Sequence, residues 1–328
     1  MPASRTIRKT IWFLLLAPSF LAAELSPAKL LAAGRVDDAI VTLQVRINAS
    51  PNDAESQNLL CRAYLALANW DASIAACQKA VALAPGNSQY HLWLGRAYGE
   101  KADHSSFFSA TGLARKVRSE FETAVRLDPN NVEARADLAD FYVQAPGIIG
   151  GGKDKAANQA QELASLDPAQ AHLVRAQIAE KKADLGYAES ELRAAIEASG
   201  GKAGTWMSLA QFYRRRNQLD QMQEAIQHAI SAQRNQHVLL AAAEVLMRTQ
   251  RDLSTAEELL RRYLSTETVE DAPAFKAHYL LGSLLEQQGD TQAAAREYRN
   301  ALSLARDFPL AQDALKRLGR RADSPSLR

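Results

Sequence analysis

Residues 121–142 read FETAVRLDPNNVEARADLADFY. Phe121, Ala124, Val125 and Leu127 recur at helical spacing. Asp128-Pro129-Asn130-Asn131 then stops the helix: proline disfavours helical geometry at the residue before it, and asparagine is at home in turns and caps. A second amphipathic run follows, with Ala134, Leu138, Ala139 and Tyr142 on one face. The same helix-stop-helix phrase recurs along the chain. Pro51, Pro85, Pro129 and Pro168 punctuate it at spacings of 34, 44 and 39 residues. A repeating hairpin that cannot bury its apolar face alone must stack on neighbours, which predicts an all-α solenoid.

Composition agrees. The 328 residues are too many for one compact core but natural for an array that grows by stacking. Good helix formers dominate, and the long β-branched runs that build sheets are missing. Net charge is +2, and the excess is local: Arg5, Arg8 and Lys9 precede an apolar run from Ile11. Removing those three of the 39 basic residues leaves 36 against 37 acidic ones, which gives no electrostatic case for nucleic acid. The basic residues, the apolar run and the small residues to Ala23 read as a secretory signal peptide over 1–23. The run is too short to span a bilayer, so stable membrane insertion is not expected after cleavage. The periplasm or the outside of a bacterial cell is the expected location. Cys61 and Cys77 lie 16 apart. An oxidising compartment permits a disulfide, but the reading favours two small buried apolar residues.

The chain resembles the tetratricopeptide repeat family, including its secreted bacterial members. Leu94-Gly95 with Tyr98, then Phe121, Ala124 and Pro129, carry the likeness. So do Trp206, Leu209, Ala210, Tyr213 and Ala229, and later Leu281-Gly282, Gly289-Asp290, Ala294, Tyr298 and Ala301. The family's period is 34 residues. The resemblance implies about eight antiparallel helix hairpins over 24–318, wound as a right-handed superhelix. The run from Pro309 to Leu318 reads as a capping helix, and 319–328 as a disordered tail. The seventh unit has Glu244 where the pattern has a small residue.

Two units depart in length. The third has ten extra residues within 101–117, and the fourth about five within 146–153. The first insertion is expected to lengthen both helices, by roughly 7–8 Å each at 1.5 Å per residue, with Thr111-Gly112 at the tip. Both corners are expected side by side on one edge. Phe107, Phe108, Ile148 and Ile149 there form a candidate contact surface, or pack on each other, which is the favoured reading.

Gly147 to Lys153 imitates a phosphate loop, but Asp154 stands where Ser or Thr should hold magnesium, and a helix precedes it in place of a strand. An inter-helix loop is the better reading, and a nucleotide-dependent enzyme using this loop is a remote alternative. No cofactor is implied. The six histidines form no metal-binding spacing, and His91, His172 and His278 read as core or near-core packing residues.

What remains is surface. In the resembled family the first helix of each unit lines a concave groove. That implies groove positions for Asn58, Arg62, Leu92, Arg96, Asp140, Gln177, Met207, Gln211, Arg214, Arg215 and Tyr279. Arg62 and Arg96 are successive equivalents that can grip a carboxylate through paired donors. The expected function is a non-catalytic protein- or peptide-binding scaffold of the bacterial envelope. The alternative is a structural part of an envelope assembly for secretion, pili or polysaccharide export.

Overall fold

The computed structural model describes residues 25–232 and 237–323. The expected signal peptide lies outside them. Among the described residues there are seventeen α-helices and no strand. Sixteen pair as antiparallel hairpins: α1 (Pro27–Ala32) with α2 (Val36–Ala49), α3 (Ala54–Ala66) with α4 (Trp70–Leu83), α5 (Ser88–Asp103) with α6 (Phe107–Leu127), and α7 (Val132–Gln144) with α8 (Lys153–Leu166). Then come α9 (Pro168–Lys181) with α10 (Leu185–Ala198), α11 (Ala203–Arg215) with α12 (Leu219–Ser231), α13 (His237–Thr249) with α14 (Leu253–Leu264), and α15 (Ala274–Gln287) with α16 (Thr291–Leu304). The last, α17 (Pro309–Asp323), packs on α16 and runs past Leu318, so the helix continues into the stretch read as a disordered tail.

The turn at 128–131 shows how one unit is fastened to the next. Asn131 caps α7 by accepting from the Ala134 amide at 3.0 Å. Its own amide donates to the Ser88 hydroxyl at 2.9 Å, and Ser88 donates to the Ala124 carbonyl at 2.9 Å. One buried side chain thus starts a helix and ties it to both helices of the preceding hairpin.

Within a hairpin, two rungs recur. In the first, a small residue on the front helix faces a large one on the back helix. A methyl group on Gly95 would lie 2.4 Å from the Phe121 ring, and one on Gly282 would lie 2.7 Å from the Tyr298 ring. Only glycine leaves room for an aromatic there. In the hairpin α3–α4 the equivalent pair is Cys61 and Cys77, and these form a disulfide with Cα atoms 5.1 Å apart. The expectation of two free buried residues is therefore corrected: the slot that elsewhere holds a ring against glycine brings two cysteines to bonding distance.

The second rung is polar. His91 Nδ1 meets Glu120 at 2.6 Å, His172 meets Glu191 at 2.7 Å, and His278 meets Glu297 at 2.7 Å. Arg135 takes the same place in α7, donating to Gln159 at 3.0 Å. These histidines stand at or near the core, as their place in the pattern suggests, but each is held by a carboxylate on the back helix.

The ten extra residues of the third unit enter unequally. α6 has 21 residues where the other back helices have 12 to 14, whereas α5 has 16. The tip is the turn 104–106, and Thr111-Gly112 lies inside α6. Seven extra residues lengthen α6 by roughly 10 Å.

In the seventh unit Ala243 is fully buried, and Glu244 is ion-paired to Lys276 and Arg248. Ala243 takes the small inward place one residue early. The following turn absorbs the shift with two left-handed residues, Gln250 and Asp252, where the turns at Gly34, Ala68, Ala183, Asn217 and Gly289 use one each.

The array closes on itself. The apolar cluster of the first units includes Phe275, Ala301, Phe308 and Ala311 from the last. Phe275 and Phe308 meet edge to face at 4.9 Å. Asp37 of α2 accepts from the Arg306 amide at 2.9 Å. A methyl group on Gly34 would lie 2.7 Å from the Ala274 backbone nitrogen, so the first turn presses directly on the start of α15.

Candidate binding groove

Closure places front helices from opposite ends of the chain around one cavity of about 650 Å³. Arg62, Trp93, Glu244, Glu270, Tyr279 and Phe308 are among its walls. Two of its walls, Arg62 and Trp93, begin a row that runs along α3 and α5 to Arg96. The Arg62 guanidinium lies 4.7 Å from the Trp93 ring centre, and that of Arg96 lies 4.8 Å from it. Helical spacing sets this up: Trp93 is three residues before Arg96 and on the same face. Cations over an indole ring are attracted by its negative face.

Both arginines have partners within the chain. Arg62 donates from Nε and Nη2 to the two oxygens of Glu270 at 2.7 and 2.5 Å, across 208 residues of sequence. Arg96 donates to Asp137 at 2.6 Å and to Glu133 at 3.1 Å. Burial works against the Arg96 charge, but Asp137 and Glu133 outweigh it and hold the group above its ordinary value. Burial pushes the Asp137 carboxyl up, with Arg96 pulling the other way. Asp140, one turn on, is also raised, by desolvation within the groove and by the nearby Asp137 and Asp103. It borders a second cavity of about 450 Å³ that reaches Val117, Phe121 and Ile149.

Tetratricopeptide repeat profiles match residues 30–98, 203–236 and 275–308. Over these stretches the chain carries tetratricopeptide repeats. No curated protein sequence matches it. Among solved structures, yeast Tom70 is similar over 88% of this chain and 60% of its own, with 15% identity and a TM-score of 0.52. A thermophilic tetratricopeptide repeat protein of Thermus thermophilus is similar over 57% of this chain and 96% of its own, with 19% identity and a TM-score of 0.48. MamA is similar over 50% and 89%, with 20% identity and a TM-score of 0.40. At such identities the likeness is one of fold. Tetratricopeptide repeats generally serve as protein-interaction scaffolds without catalysis of their own.

Within this repeat array the expected groove residues divide. Arg62 and Arg96 are neighbours, as their equivalence predicts, but they are not free cations. Asn58 and Leu92 are corrected to core positions, 5% and 0% exposed. Met207 is likewise buried. Tyr279 lines the cavity and meets Phe308 edge to face at 5.6 Å. Gln177 is half-buried. Gln211 is exposed and Arg214 half-buried on α11, while Arg215 is bound to Glu180 through two hydrogen bonds of 2.6 and 3.1 Å.

The raised edge also differs from expectation. Phe107, Phe108 and Ile148 are 80%, 88% and 87% exposed, so they do not pack on each other across the two corners. Ile149 is half-buried, and its carbonyl accepts from Arg118 at 3.3 Å. Arg118 is eleven residues along α6 from Phe107, roughly 16 Å by helical rise. The phosphate-loop imitation is a single 3-10 turn, Gly147–Ile149, between two α-helices, and Lys153 donates to the Lys181 carbonyl at 3.2 Å. Among the described residues no cluster of three or more His, Cys, Asp or Glu side chains is arranged for a metal.

Two features escaped the sequence reading. Trp93 had a signal, its place one turn before Arg96. Glu270 had none, because only closure of the array brings it to Arg62.

Proposed function

We propose that this chain is a non-catalytic scaffold that holds a protein or peptide in the cavity enclosed by its front helices. The row Arg62–Trp93–Arg96 carries the reading: Arg62 and Trp93 line that cavity, and Arg96 lines the second one beside it. An indole ring between two guanidiniums, each anchored by carboxylates of this chain, sets apolar surface beside fixed charge, a mixture that suits a polypeptide segment. The near-neutral mature charge argues for protein over nucleic acid. The basic, apolar and small-residue pattern at the N-terminus argues for the bacterial periplasm or exterior. A photo-reactive residue in place of Trp93, in intact cells, is expected to capture an envelope protein, with capture lost on Arg96→Glu. Absence of any adduct from any cell fraction would refute the reading, and the chain's recovery in cytoplasm with residues 1–23 intact would refute the location.

The exposed Phe107, Phe108 and Ile148 favour a second reading, in which the raised edge is a fixed contact within an envelope assembly. A Phe107→Ser/Ile148→Ser chain that still co-fractionates with the same large complex would exclude it.

A further inference from the structure

The junction between the seventh and eighth units is longer than every other one between described helices. Four residues join α2 to α3, α4 to α5, α6 to α7, α10 to α11 and α16 to α17, whereas nine, 265–273, join α14 to α15. The extra length is ordered. The Ala272 amide donates to the Val269 carbonyl at 3.1 Å, which makes a tight turn with Glu270 and Asp271 at its tip. The fully buried Tyr263 fixes that turn from below: its hydroxyl accepts from the Val269 amide at 3.2 Å and donates to the Ala272 carbonyl. Thr268 ties it to the first unit by donating to the Ala32 carbonyl at 2.8 Å. Glu270 meets both donors of Arg62, the geometry of a strong carboxylate contact.

We propose that the 265–273 turn is a latch that fills the groove as a stand-in for an acidic segment of the partner, which binds by displacing Glu270 from Arg62. This rests on the groove reading above and adds its regulation and the chemistry of its ligand. Charge sets that chemistry. The side chains of Arg62 and Glu270 are 26% and 20% exposed. Leaving a guanidinium so placed without a partner is unfavourable. Exchanging one carboxylate for another keeps it satisfied, so the entering group must be acidic. Its polar ties beyond its own turn are the Thr268 contact and the Glu270 pair, while Val269 and Ala272 pack into the core beside Tyr263, so the tip can release Glu270 with its base held in place.

The test uses a labelled synthetic peptide of sequence STETVEDAP, residues 265–273, added to the full chain and followed by fluorescence anisotropy. Glu270→Gln is expected to bind it at least ten-fold more tightly than the wild type. Adding Arg62→Gln to Glu270→Gln is expected to abolish the gain, as is a peptide with Gln at the Glu270 position. Thr268→Ala, which keeps the ion pair but removes the other tie, is expected to give an intermediate gain and serves if Glu270→Gln proves unstable by thermal melting. Equal binding to wild type and both variants, or binding to none, would overturn the latch. Capture at Trp93 in cells together with a failed peptide test would leave the groove standing and remove the latch alone.

Discussion

The third and eighth hairpins carry matching side chains in matching slots, yet one is ten residues longer. Gly95 faces Phe121, and Gly282 faces Tyr298. His91 meets Glu120 at 2.6 Å, and His278 meets Glu297 at 2.7 Å. The added length of the third hairpin lies beyond both rungs, at the corner. Two rungs near the base therefore fix how the helices cross, and the corner can lengthen without disturbing them. Loop and corner insertions are tolerated where they leave packed positions untouched. The third hairpin differs by function-like excess, two exposed phenylalanines at its tip, whereas the eighth is given over to closing the array.

The sharpest way to break the comparison is to alter the slot in the hairpin that fills it differently. Cys61→Ala/Cys77→Ala opens a 16-residue covalent loop and is expected to lower stability by about 3 kcal/mol. Reduction of the wild type should match it in urea unfolding. A loss well under 1 kcal/mol would mean that packing alone holds this hairpin. Next come the glycines. A methyl group on Gly282 meets both the Tyr298 ring and, at 3.2 Å, the Ala294 carbonyl, whereas the three atoms nearest one on Gly95 all belong to the Phe121 ring. Gly282→Ala is expected to cost about 3 kcal/mol and Gly95→Ala about 2. Hydrogen exchange, read separately over α15–α16 and α5–α6, checks the order, since stability in a stacked array is local.

The hairpins were legible because helical period, proline stops and the Leu-Gly and aromatic pattern all point the same way. What escaped was whatever depends on a residue's opposite number. Cys61 and Cys77 look like ordinary small core residues until they are aligned with Gly95 and Phe121; the equivalence was in the pattern, and it predicts contact. Each His–Glu rung was equally hidden, although His172 and Glu191 share the 19-residue spacing of His278 and Glu297. The corner was misplaced because Thr111-Gly112 reads as a turn. A helix interior tolerates glycine for about 1 kcal/mol, and Ser106, in extended geometry, starts α6 instead. Closure was not legible at all: nothing near Glu270 or Thr268 announces partners more than 200 residues away.

The polar rung gives a smaller and pH-dependent effect. The hydrogen bond from His278 holds the Glu297 carboxyl below its ordinary value of 4.5, against its burial. A carboxylate lowered in the folded state adds stability above that ordinary value and loses it as pH falls through the folded one. His278→Ala is expected to cost about 1–2 kcal/mol at neutral pH and to flatten the loss of stability expected of the wild type as pH falls below 4.5. A wild-type and variant difference that stays constant from pH 7 to about 3 would show that the rung acts by packing and not by charge.

The smallest expected effect sharpens the contrast at the corner. Phe107 and Phe108 touch one another edge to face at 5.8 Å but are otherwise open to water. Side chains so placed contribute little to folding, so Phe107→Ser/Phe108→Ser is expected to change stability by less than about 0.5 kcal/mol. Apolar surface kept at a projecting tip without a folding role favours a contact made with another molecule. If the double variant instead lost as much as Gly95→Ala, the long α6 would be part of the hairpin's own packing. The third and eighth units would then differ in how they fold, and not only in what they present.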